Sequence, residues 1–411
     1  MTGTSTRGRV GVLAITLGIF TVVTTEILPI GLLVPIGRTF DVTDGTAGLT
    51  MFLPGLLAAG AAPLVTVAAG RADRRRVLLA LAALLAGANV LAALAAGYGA
   101  VLVSRVLLGV VIGGFWAVGV GLAPRLVPPR AVPAATALIF SAVPLGSVLG
   151  VPAGTLLATA WGWRAAFAVL AVLSGVVLLL LCALPALPPG RPTRPATLRA
   201  VISRRPSRAA LAVTVLVVAA HFGAYTYVTP FLEQVTQAGP ALVTAFLLVY
   251  GAAGVVGSWL AARRPGPAAF GWAAALLAAV TVLLPPAGGT AVGALVLLAV
   301  WGIAYGAVPV CSQAWFAAAA PDASEAASVL FTASFQATIA LGALAGGAVL
   351  DATSLAVLMP AGGAVAAVAV LVVALAQRSV AWTRCQQASP RRPRAGAPSP
   401  SSPTPTPASR R

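Results

Sequence analysis

The amino-acid sequence predicts an all-α membrane protein with twelve transmembrane helices, arranged as two pseudo-symmetric six-helix halves. Three observations support this fold class: the composition, a series of long apolar stretches, and a similar order of residues in the two halves. Of the 411 residues, 59% are hydrophobic and 8% are charged. A soluble domain has about 25% charged residues. The chain therefore lacks the polar surface that a water-soluble protein of this length needs.

The apolar stretches have the length of membrane-spanning helices. A helix needs about 20 apolar residues to cross a hydrocarbon core of about 30 Å. Strands of a membrane barrel are shorter and alternate polar with apolar residues, so these stretches do not fit a barrel. The first is too long for a signal peptide and is interpreted as an uncleaved helix. The predicted spans are residues 10–36, 46–69, 77–96, 99–123, 133–159, 165–188, 209–232, 240–262, 266–285, 290–319, 324–350 and 354–377.

The positions of the arginines predict the orientation of the spans. All 26 basic residues are arginines, and 23 of them fall in the segments that are cytoplasmic if the N-terminus is cytoplasmic. The exceptions are Arg38 and Arg164 in outer loops and Arg105 within a span. By the positive-inside rule both termini are cytoplasmic and the protein is a multi-pass protein of the inner (plasma) membrane. The net charge of +18 does not form one basic face, so nucleic acid is excluded as a partner.

Two polar segments divide the chain. Residues 189–208 are rich in Pro and Arg and predict a cytoplasmic central loop between an N-terminal half, 1–188, and a C-terminal half, 209–384. Residues 385–411 contain seven prolines with Ser, Thr and Arg. Such a composition cannot bury a core, so this segment is predicted to be a disordered cytoplasmic tail.

Corresponding residues recur in the two halves at nearly constant offsets. Because each half has six spans, equivalent helices have the same orientation in the membrane. Parallel halves of this kind are a transporter architecture, with the substrate path between them near the midplane. The matched residues are Pro35 with Pro230 (offset 195), Gly109 and Gly114 with Gly302 and Gly306 (193 and 192), Gly146 and Gly150 with Gly342 and Gly346 (196), and Arg74–Arg75 with Arg263–Arg264 (189).

The loop between spans two and three resembles the signature loop of the major facilitator superfamily. It reads Gly-Arg-Ala-Asp-Arg-Arg-Arg over residues 70–76. The resemblance implies a conformational-switch loop made by Gly70, Asp73, Arg74 and Arg75, in which the glycine allows a tight turn and the charged residues bind helix ends across the interface between the halves. The glycine usual among the later basic residues is missing here. A simple positive-inside anchor is the alternative.

Spans four and five carry two further motifs of that superfamily. Arg105 with Gly109 in span four resembles its R-x-x-x-G motif. Span five resembles the antiporter motif of exporters, whose glycines allow close helix contact and whose proline kinks the helix. The residues of this motif are Gly146, Gly150, Pro152 and Gly154.

The first and seventh spans are similar to the twelve-spanner drug:proton antiporter branch of the superfamily. The similar segments are Thr24-Thr25-Glu26-Ile-Leu-Pro29 and His221-Phe-Gly-Ala-Tyr225-Thr-Tyr227. The nearest type is the arabinose-efflux and chloramphenicol-resistance exporter. The resemblance, over about residues 10–377, implies the major facilitator fold, efflux by antiport, multidrug resistance and no cofactor.

Glu26 is the main candidate for proton coupling. It alone lies deep in a span among eight acidic residues. An ionised carboxylate at that depth costs about 2.5–3.5 kcal/mol or more, so it has to be partnered, hydrated or protonated. A group that alternately holds and releases a proton fits this position. The alternative is a static carboxylate paired with Arg105 or with a helix end.

Two other ionisable residues lie within spans. Arg105 could influence a nearby proton site or extend toward the outer surface. His221 is the only histidine and lies near the centre of span seven. Imidazole titrates near neutral pH and could relay protons or bind substrate. A neutral histidine hydrogen-bonded between helices remains an alternative.

Aromatic and amide side chains at membrane depth are the candidates for substrate binding. A pocket for amphipathic molecules needs apolar walls and a few polar groups. Tyr225 and Gln313 are the stronger pair, since polar atoms at depth must find partners. The alternative is that the aromatic residues face lipid or neighbouring helices. The candidates are Trp116, Tyr225, Tyr227, Gln313, Phe335 and Gln336.

These features predict a transporter that exports a small organic molecule in exchange for protons by alternating access. One histidine and three scattered cysteines do not form a metal cluster, and no nucleotide-binding fingerprint is present. The expected partners are the substrate, protons and the lipid bilayer, and the expected state is a monomer. Proton-coupled uptake, a polytopic membrane enzyme and a non-transporting sensor remain as alternatives.

Overall fold

The computed structural model describes residues 6–69, 72–119, 122–188 and 195–388. These residues form α-helices with short 3₁₀ turns and no strand. Twelve helical segments are long and apolar enough to cross a membrane, which confirms the predicted fold class. Gly70 and residues 389–411 of the predicted tail lie outside the described residues, whereas residues 385–388 belong to the last helix.

The described residues of the N-terminal half form nine α-helices. They are α1 Thr6–Ile27, α2 Pro29–Phe40, α3 Asp44–Ala47, α4 Leu49–Ala69, α5 Arg74–Ala93, α6 Tyr98–Val118, α7 Ala123–Leu126, α8 Val132–Trp161 and α9 Trp163–Cys182. The C-terminal half and its preceding connection contain the other eight. They are α10 Pro195–Ser203, α11 Arg205–Tyr225, α12 Val228–Gln234, α13 Pro240–Arg263, α14 Pro267–Ala287, α15 Ala291–Ala319, α16 Ser324–Ala352 and α17 Leu355–Ala388.

The connection between the halves is partly helical. The sequence predicts a loop over 189–208, but α10 forms within it because Val201 is buried and Leu198 packs against the C-terminal core. At its end, Arg204 makes two hydrogen bonds of 2.6 and 2.7 Å with the carboxylate of Asp322. The Arg204 guanidinium lowers the pKa of Asp322 to about 2. The connection is thus fixed to the C-terminal half.

Two spans that lie against the centre of the molecule are interrupted at proline. The first predicted span divides into α1 and α2 because Pro29 has no N–H to continue the hydrogen-bond series, and the carbonyl of Thr25 loses its helical donor. In the seventh span the break lies between Tyr225 and Val228, just before Pro230. These breaks occupy similar places in the two halves.

Glycines at helix crossings repeat between the halves. Gly146 and Gly150 of α8 face residues 20–24 of α1, and Gly342 and Gly346 of α16 face residues 219–223 of α11, which fits their predicted equivalence.

The second predicted glycine match is off by one position. Gly113 of α6 contacts Ala58 and Ala62 of α4, as Gly306 of α15 contacts Gly254 of α13. Gly114 instead faces Leu81 of α5. The equivalent of Gly306 is therefore Gly113, because the glycine that permits the close crossing is the one on the contacting face of the helix.

The bundle has two ends, which we name by their chain segments. The linker face carries the start of α1, the Asp73 loop and α10, and the distal face carries residues 37–48, 233–240 and 350–355. The halves contact each other through α4 with α16 and through α8 with α13. Ile30 and Met51 of the N-terminal half are buried within the core cluster of the C-terminal half. Apolar packing therefore joins the halves between the midplane and the distal face.

Candidate functional site

Glu26 lies at the centre of the molecule, between the two halves. It occupies the last turn of α1, one residue before the break, and is 7% exposed. The amide of Gln336 on α16 faces its carboxylate, and Tyr305 of α15 lies near it. Both neighbours belong to the C-terminal half. The carboxylate of one half thus faces neutral polar groups of the other half.

Arg105 compensates for the break in the first span. Its Nη1 donates a hydrogen bond of 2.9 Å to the carbonyl of Thr25, which is the carbonyl that lost its donor at Pro29. The guanidinium also lies 4.8 Å from the ring centroid of Phe167. The residue is 1% exposed, so it extends into the N-terminal half and not to the surface. It makes no ion pair with Glu26, although both side chains are buried.

A small polar network lies behind the break. The side-chain amide of Asn89 donates to Ser174 Oγ at 3.2 Å and to Thr25 Oγ1 at 3.4 Å, and Thr25 Oγ1 donates to the carbonyl of Thr21. Asn89 is fully buried among α1, α5 and α9. This network fixes the last turn of α1, and with it the backbone position of Glu26.

His221 is enclosed by aromatic residues of the C-terminal half. Its ring stacks on Tyr305 at a centroid distance of 3.5 Å and on Tyr225 at 4.9 Å, and Trp301 meets it edge-on at 5.7 Å. Indole N–H is only a donor, so the bond of 3.0 Å from Trp301 Nε1 makes His221 Nδ1 an acceptor. Nε2 then carries the hydrogen and faces the hydroxyl of Tyr250 at 3.4 Å. This arrangement favours the neutral imidazole.

The aromatic cluster contains residues that the sequence did not single out. Tyr250, Trp301 and Tyr305 complete it, and Tyr225 stacks on Tyr250 at 4.3 Å. Trp301 and Tyr305 are four residues apart and so share one face of α15, but the sequence does not show which helix that face meets. Tyr305 is the member that connects His221 to the surroundings of Glu26.

The remaining candidates for substrate binding occupy different places. Gln336 and Tyr225 lie near the centre, and Phe335 is half-buried next to Phe331 at 5.3 Å. Gln313 is exposed on the linker side of Tyr305, and Trp116 is half-buried against the core of the N-terminal half.

Tyr227 lies apart from the centre. Its hydroxyl donates to the carbonyl of Ala343 at 2.8 Å and fills the space next to Gly48 and Gly347. It therefore packs between the two halves toward the distal face.

Polar contacts join the two halves at the distal face. The carboxylate of Asp351 accepts hydrogen bonds from Thr43 Oγ1 at 2.9 Å and from the backbone N–H of Gly45 at 3.1 Å. Gln234 donates to Asp44 at 3.0 Å, and Arg38 pairs with Glu233 at 3.3 Å. We call these six side chains and the Gly45 amide the distal latch. The distal latch therefore connects the N-terminal and C-terminal halves at this end of the bundle.

The predicted switch loop contacts its own half in this conformation. Asp73 caps α5 by accepting from the N–H of Arg75 at 2.8 Å, and it also accepts from the N–H of Leu187 at 3.2 Å. Arg75 donates to the carbonyl of Cys182 at the end of α9. The loop thus holds the start of the connection between the halves.

The helix of the predicted antiporter motif is wedged between the halves. Gly146, Gly150 and Gly154 bring α8 close to α1, at Val23, Thr24 and Leu28. On its other side, α13 approaches the carbonyl of Val148 at Gly251. Pro152 lacks the N–H that would bond to this carbonyl, although α8 continues through it. Thr155 of α8 also hydrogen-bonds Thr244 of α13 at 2.8 Å.

Two six-helix halves packed around a buried carboxylate are the architecture of a membrane transporter. The chain belongs to the Major Facilitator Superfamily, whose profile matches residues 15–333. The resemblance inferred from the sequence motifs is thereby confirmed. The protein is a multi-pass membrane transporter of a small substrate and not an enzyme.

Curated relatives span nearly the whole chain. The "Transcription regulatory protein OpdE" of Pseudomonas aeruginosa is 35% identical over 379 residues, covering 90% of this chain and 94% of the relative. The "Inner membrane transport protein YdhP" of Escherichia coli K12 is 33% identical, covering 91% and 97%. The "Probable sugar efflux transporter" of Mannheimia succiniciproducens is 29% identical, covering 85% and 89%.

Solved structures show the same fold. A bacterial homolog to the human lysosomal transporter Spinster, in its inward-facing and occupied conformation, matches with a TM-score of 0.73 at 17% identity over 92% of this chain and 98% of that chain. Its inward-facing and unoccupied conformation matches with a TM-score of 0.69 at 17% identity, over 91% and 96%. At this identity the likeness extends to the fold alone.

Proposed function

We propose that this protein exports a small organic molecule in exchange for protons, and that Glu26 carries the proton. The observation that supports this most is the position of Glu26 between the halves. Its carboxylate is buried, makes no ion pair with any residue that the structure describes, and faces a neutral amide and a phenol. Such a site accommodates both the ionised and the protonated form, which an ion-paired carboxylate does not.

The moving bodies in this proposal are residues 1–188 and 209–384, and the linker face is cytoplasmic. The arginine distribution supports this orientation. The protein lies in the inner membrane of the cell, and the distal latch then closes the outer end of the path. This conformation therefore faces the cytoplasm. Rocking of the halves would open the latch and expose Glu26 to the outside, where it takes up a proton.

Export and not uptake is supported by two features. The glycine-rich α8, which resembles the antiporter motif, packs against α1 and α13 and so lies where the halves must slide. A relative of similar length is named as a probable sugar efflux transporter. Proton and substrate each shift the balance between facing states only by their different affinities for the two states. Exchange requires that binding of the proton favours release of the substrate, and that binding of the substrate favours release of the proton.

The test uses everted membrane vesicles with an imposed inside-acid pH gradient. Phenicols, sugars, nucleosides and cationic dyes are added one at a time, and proton release is followed by fluorescence. We expect at least one compound to release protons with the wild type and none with Glu26→Gln. Asp41→Asn, which removes an exposed carboxylate far from the centre, is the control and retains release.

Other outcomes separate the alternatives. Full proton release by folded Glu26→Gln contradicts the role of Glu26. Transport that follows a sodium gradient contradicts proton coupling, and accumulation driven in the opposite direction indicates uptake. Because one relative is named as a transcription regulatory protein, binding without flux is also measured. Ligand-dependent conformational change with no transport would indicate a sensor.

A further inference from the structure

Gln336 has one buried hydrogen-bonding atom without a partner. The residue is 6% exposed on α16, and its amide faces the carboxylate of Glu26 across the interface between the halves. None of the described residues donates a hydrogen bond to Gln336 Oε1. A buried acceptor left without a donor costs about 1–3 kcal/mol. An acceptor of this kind at the centre of a transporter points to a donor that is present in another state of the site.

The neighbouring groups do not supply that donor. Tyr305 of α15 lies near Glu26, and its ring is stacked on the neutral His221 of α11. Arg105 of α6 is directed to the carbonyl of Thr25. The α8 helix presents Gly150 to Thr24 and contributes no charged side chain there. Besides water, two sources of a donor remain: the proton of a protonated Glu26, and a ligand.

We propose that Gln336 Oε1 is one acceptor for which the proton on Glu26 and a donor group of the substrate compete. With Glu26 ionised, the amide N–H of Gln336 donates to the carboxylate. With Glu26 protonated, the new O–H donates to Oε1 while the amide N–H remains on the other carboxyl oxygen, and the two bonds close a ring. The proton comes from water and returns to water, and no other bond is made or broken.

This inference rests on the proposed antiport and defines a chemical requirement for the substrate. A substrate whose O–H or N–H group binds Oε1 removes the acceptor of the protonated acid and so favours release of the proton. Substrates are therefore alcohols, amides or amines, and a compound that has only acceptor groups does not exchange. Gln336 acts here as a positioning residue for the proton, and it contacts the substrate directly.

Infrared difference spectra between acid and alkaline pH test the hydrogen bond itself. The full-length protein in proteoliposomes is expected to show the carbonyl stretch of protonated Glu26, identified by its absence in Glu26→Gln. In Gln336→Leu the band should move to higher frequency, because the acid has lost its acceptor. In Gln336→Asn, which keeps the amide, the frequency of the band should lie between those of the wild type and Gln336→Leu. Gln377→Leu changes an exposed glutamine at the end of the last span and should leave the band in place.

Transport provides the second readout. Among compounds that release protons with the wild type, Gln336→Leu should lower the apparent affinity about tenfold, the value of one hydrogen bond. Methylation of all O–H and N–H groups of such a compound should abolish release. A thermal unfolding midpoint near that of the wild type confirms that each variant is folded.

The outcomes distinguish this inference from the proposed function. If no compound releases protons, or if Glu26→Gln retains release, the antiport proposal fails. If release depends on Glu26 but the infrared band is unchanged in folded Gln336→Leu, the role of Gln336 alone is overturned. Release by a compound without O–H or N–H groups also overturns it.

Discussion

At the scale of single residues, Pro29 and Arg105 form a compensating pair. Pro29 removes the donor of the Thr25 carbonyl, and the Arg105 guanidinium replaces it at 2.9 Å from a helix of the same half. The arginine is buried because it has this partner and the ring of Phe167. It therefore stabilises the bend that places Glu26 between the halves.

A double-mutant cycle tests this pairing. Arg105→Leu should destabilise the protein by about 1–3 kcal/mol, because the Thr25 carbonyl is left buried without a donor. In a Pro29→Ala background the loss should fall by more than half, since the backbone N–H that the substitution restores can reach that carbonyl. Unfolding midpoints in detergent measure both. Equal losses in the two backgrounds would mean that Arg105 acts elsewhere.

The sequence was sufficient to identify Glu26, but not its neighbours. A single carboxylate in a long apolar span is conspicuous because its burial is costly. Tyr250, Trp301 and Tyr305 carry no such signal, because an uncharged aromatic side chain has no comparable penalty in an apolar span. The sequence also did not predict the direction of the Arg105 side chain. That direction depends on its bond to the carbonyl of Thr25, which lies 80 residues away in the chain.

At the scale of helices, glycines set how closely neighbouring spans approach. Gly306 of α15 lies directly on the backbone carbonyl of Gly254 in α13. Gly254 itself has more room, because an added Cβ would lie 3.6 Å from the nearest atom, the carbonyl of Gly302. The two glycines of one crossing therefore differ in their tolerance of a side chain.

Alanine substitutions at this crossing check that difference. Gly306→Ala forces the two helices apart and should lower stability by about 1–3 kcal/mol. Gly254→Ala, the matched control, should change it by less than about 0.5 kcal/mol. Thermal unfolding of the purified variants measures both. Similar losses at the two positions would contradict the packing described.

The repeat predicted most of the helix equivalences, and its errors are local. Six spans per half and the Gly146–Gly342 and Gly150–Gly346 matches follow from spacing alone. Gly114 was matched with Gly306 because both occur in glycine-rich stretches, and the choice between Gly113 and Gly114 requires knowing which face meets α4. The α10 helix was missed because it has only nine residues and lies in a segment rich in Pro and Arg.

At the scale of the whole molecule, the distal latch joins the two halves at one end of the bundle. Asp351 lies on the same helix as Gln336, so α16 joins the groups around Glu26 to the latch. Movement of α16 relative to α1 and α4 changes both the surroundings of Glu26 and the contacts of the distal latch. The sequence places Asp351 at a span end, but its bonds to Thr43 and Gly45 require the assembled halves.

Loss of Asp351 should open the distal face. Asp351→Ala removes two bonds to a charged acceptor, each worth about 1.5–3 kcal/mol, so the population with an open distal face should rise about tenfold or more. Ile30→Cys, buried against the C-terminal half, reports this by labelling with an impermeant thiol reagent after replacement of the native cysteines.

Asp41→Asn is the control for that experiment. Asp41 is an exposed carboxylate of the same face, and asparagine tolerates its left-handed backbone (φ 52°). Labelling in this variant should match the wild type. Unchanged labelling in Asp351→Ala would show that the latch does not hold the halves together.

The central claim is that the charge of Glu26 decides which face is open, and distances between spin labels test it most directly. One pair of labels spans the distal face at Ala160 and Ser354, and another spans the linker face at Arg76 and Arg264; all four residues are exposed. In the wild type, lower pH should shift the population toward the closed distal face. Glu26→Gln, which mimics the protonated acid, should keep that face closed at every pH. A pH response in Glu26→Gln equal to that of the wild type would contradict the account.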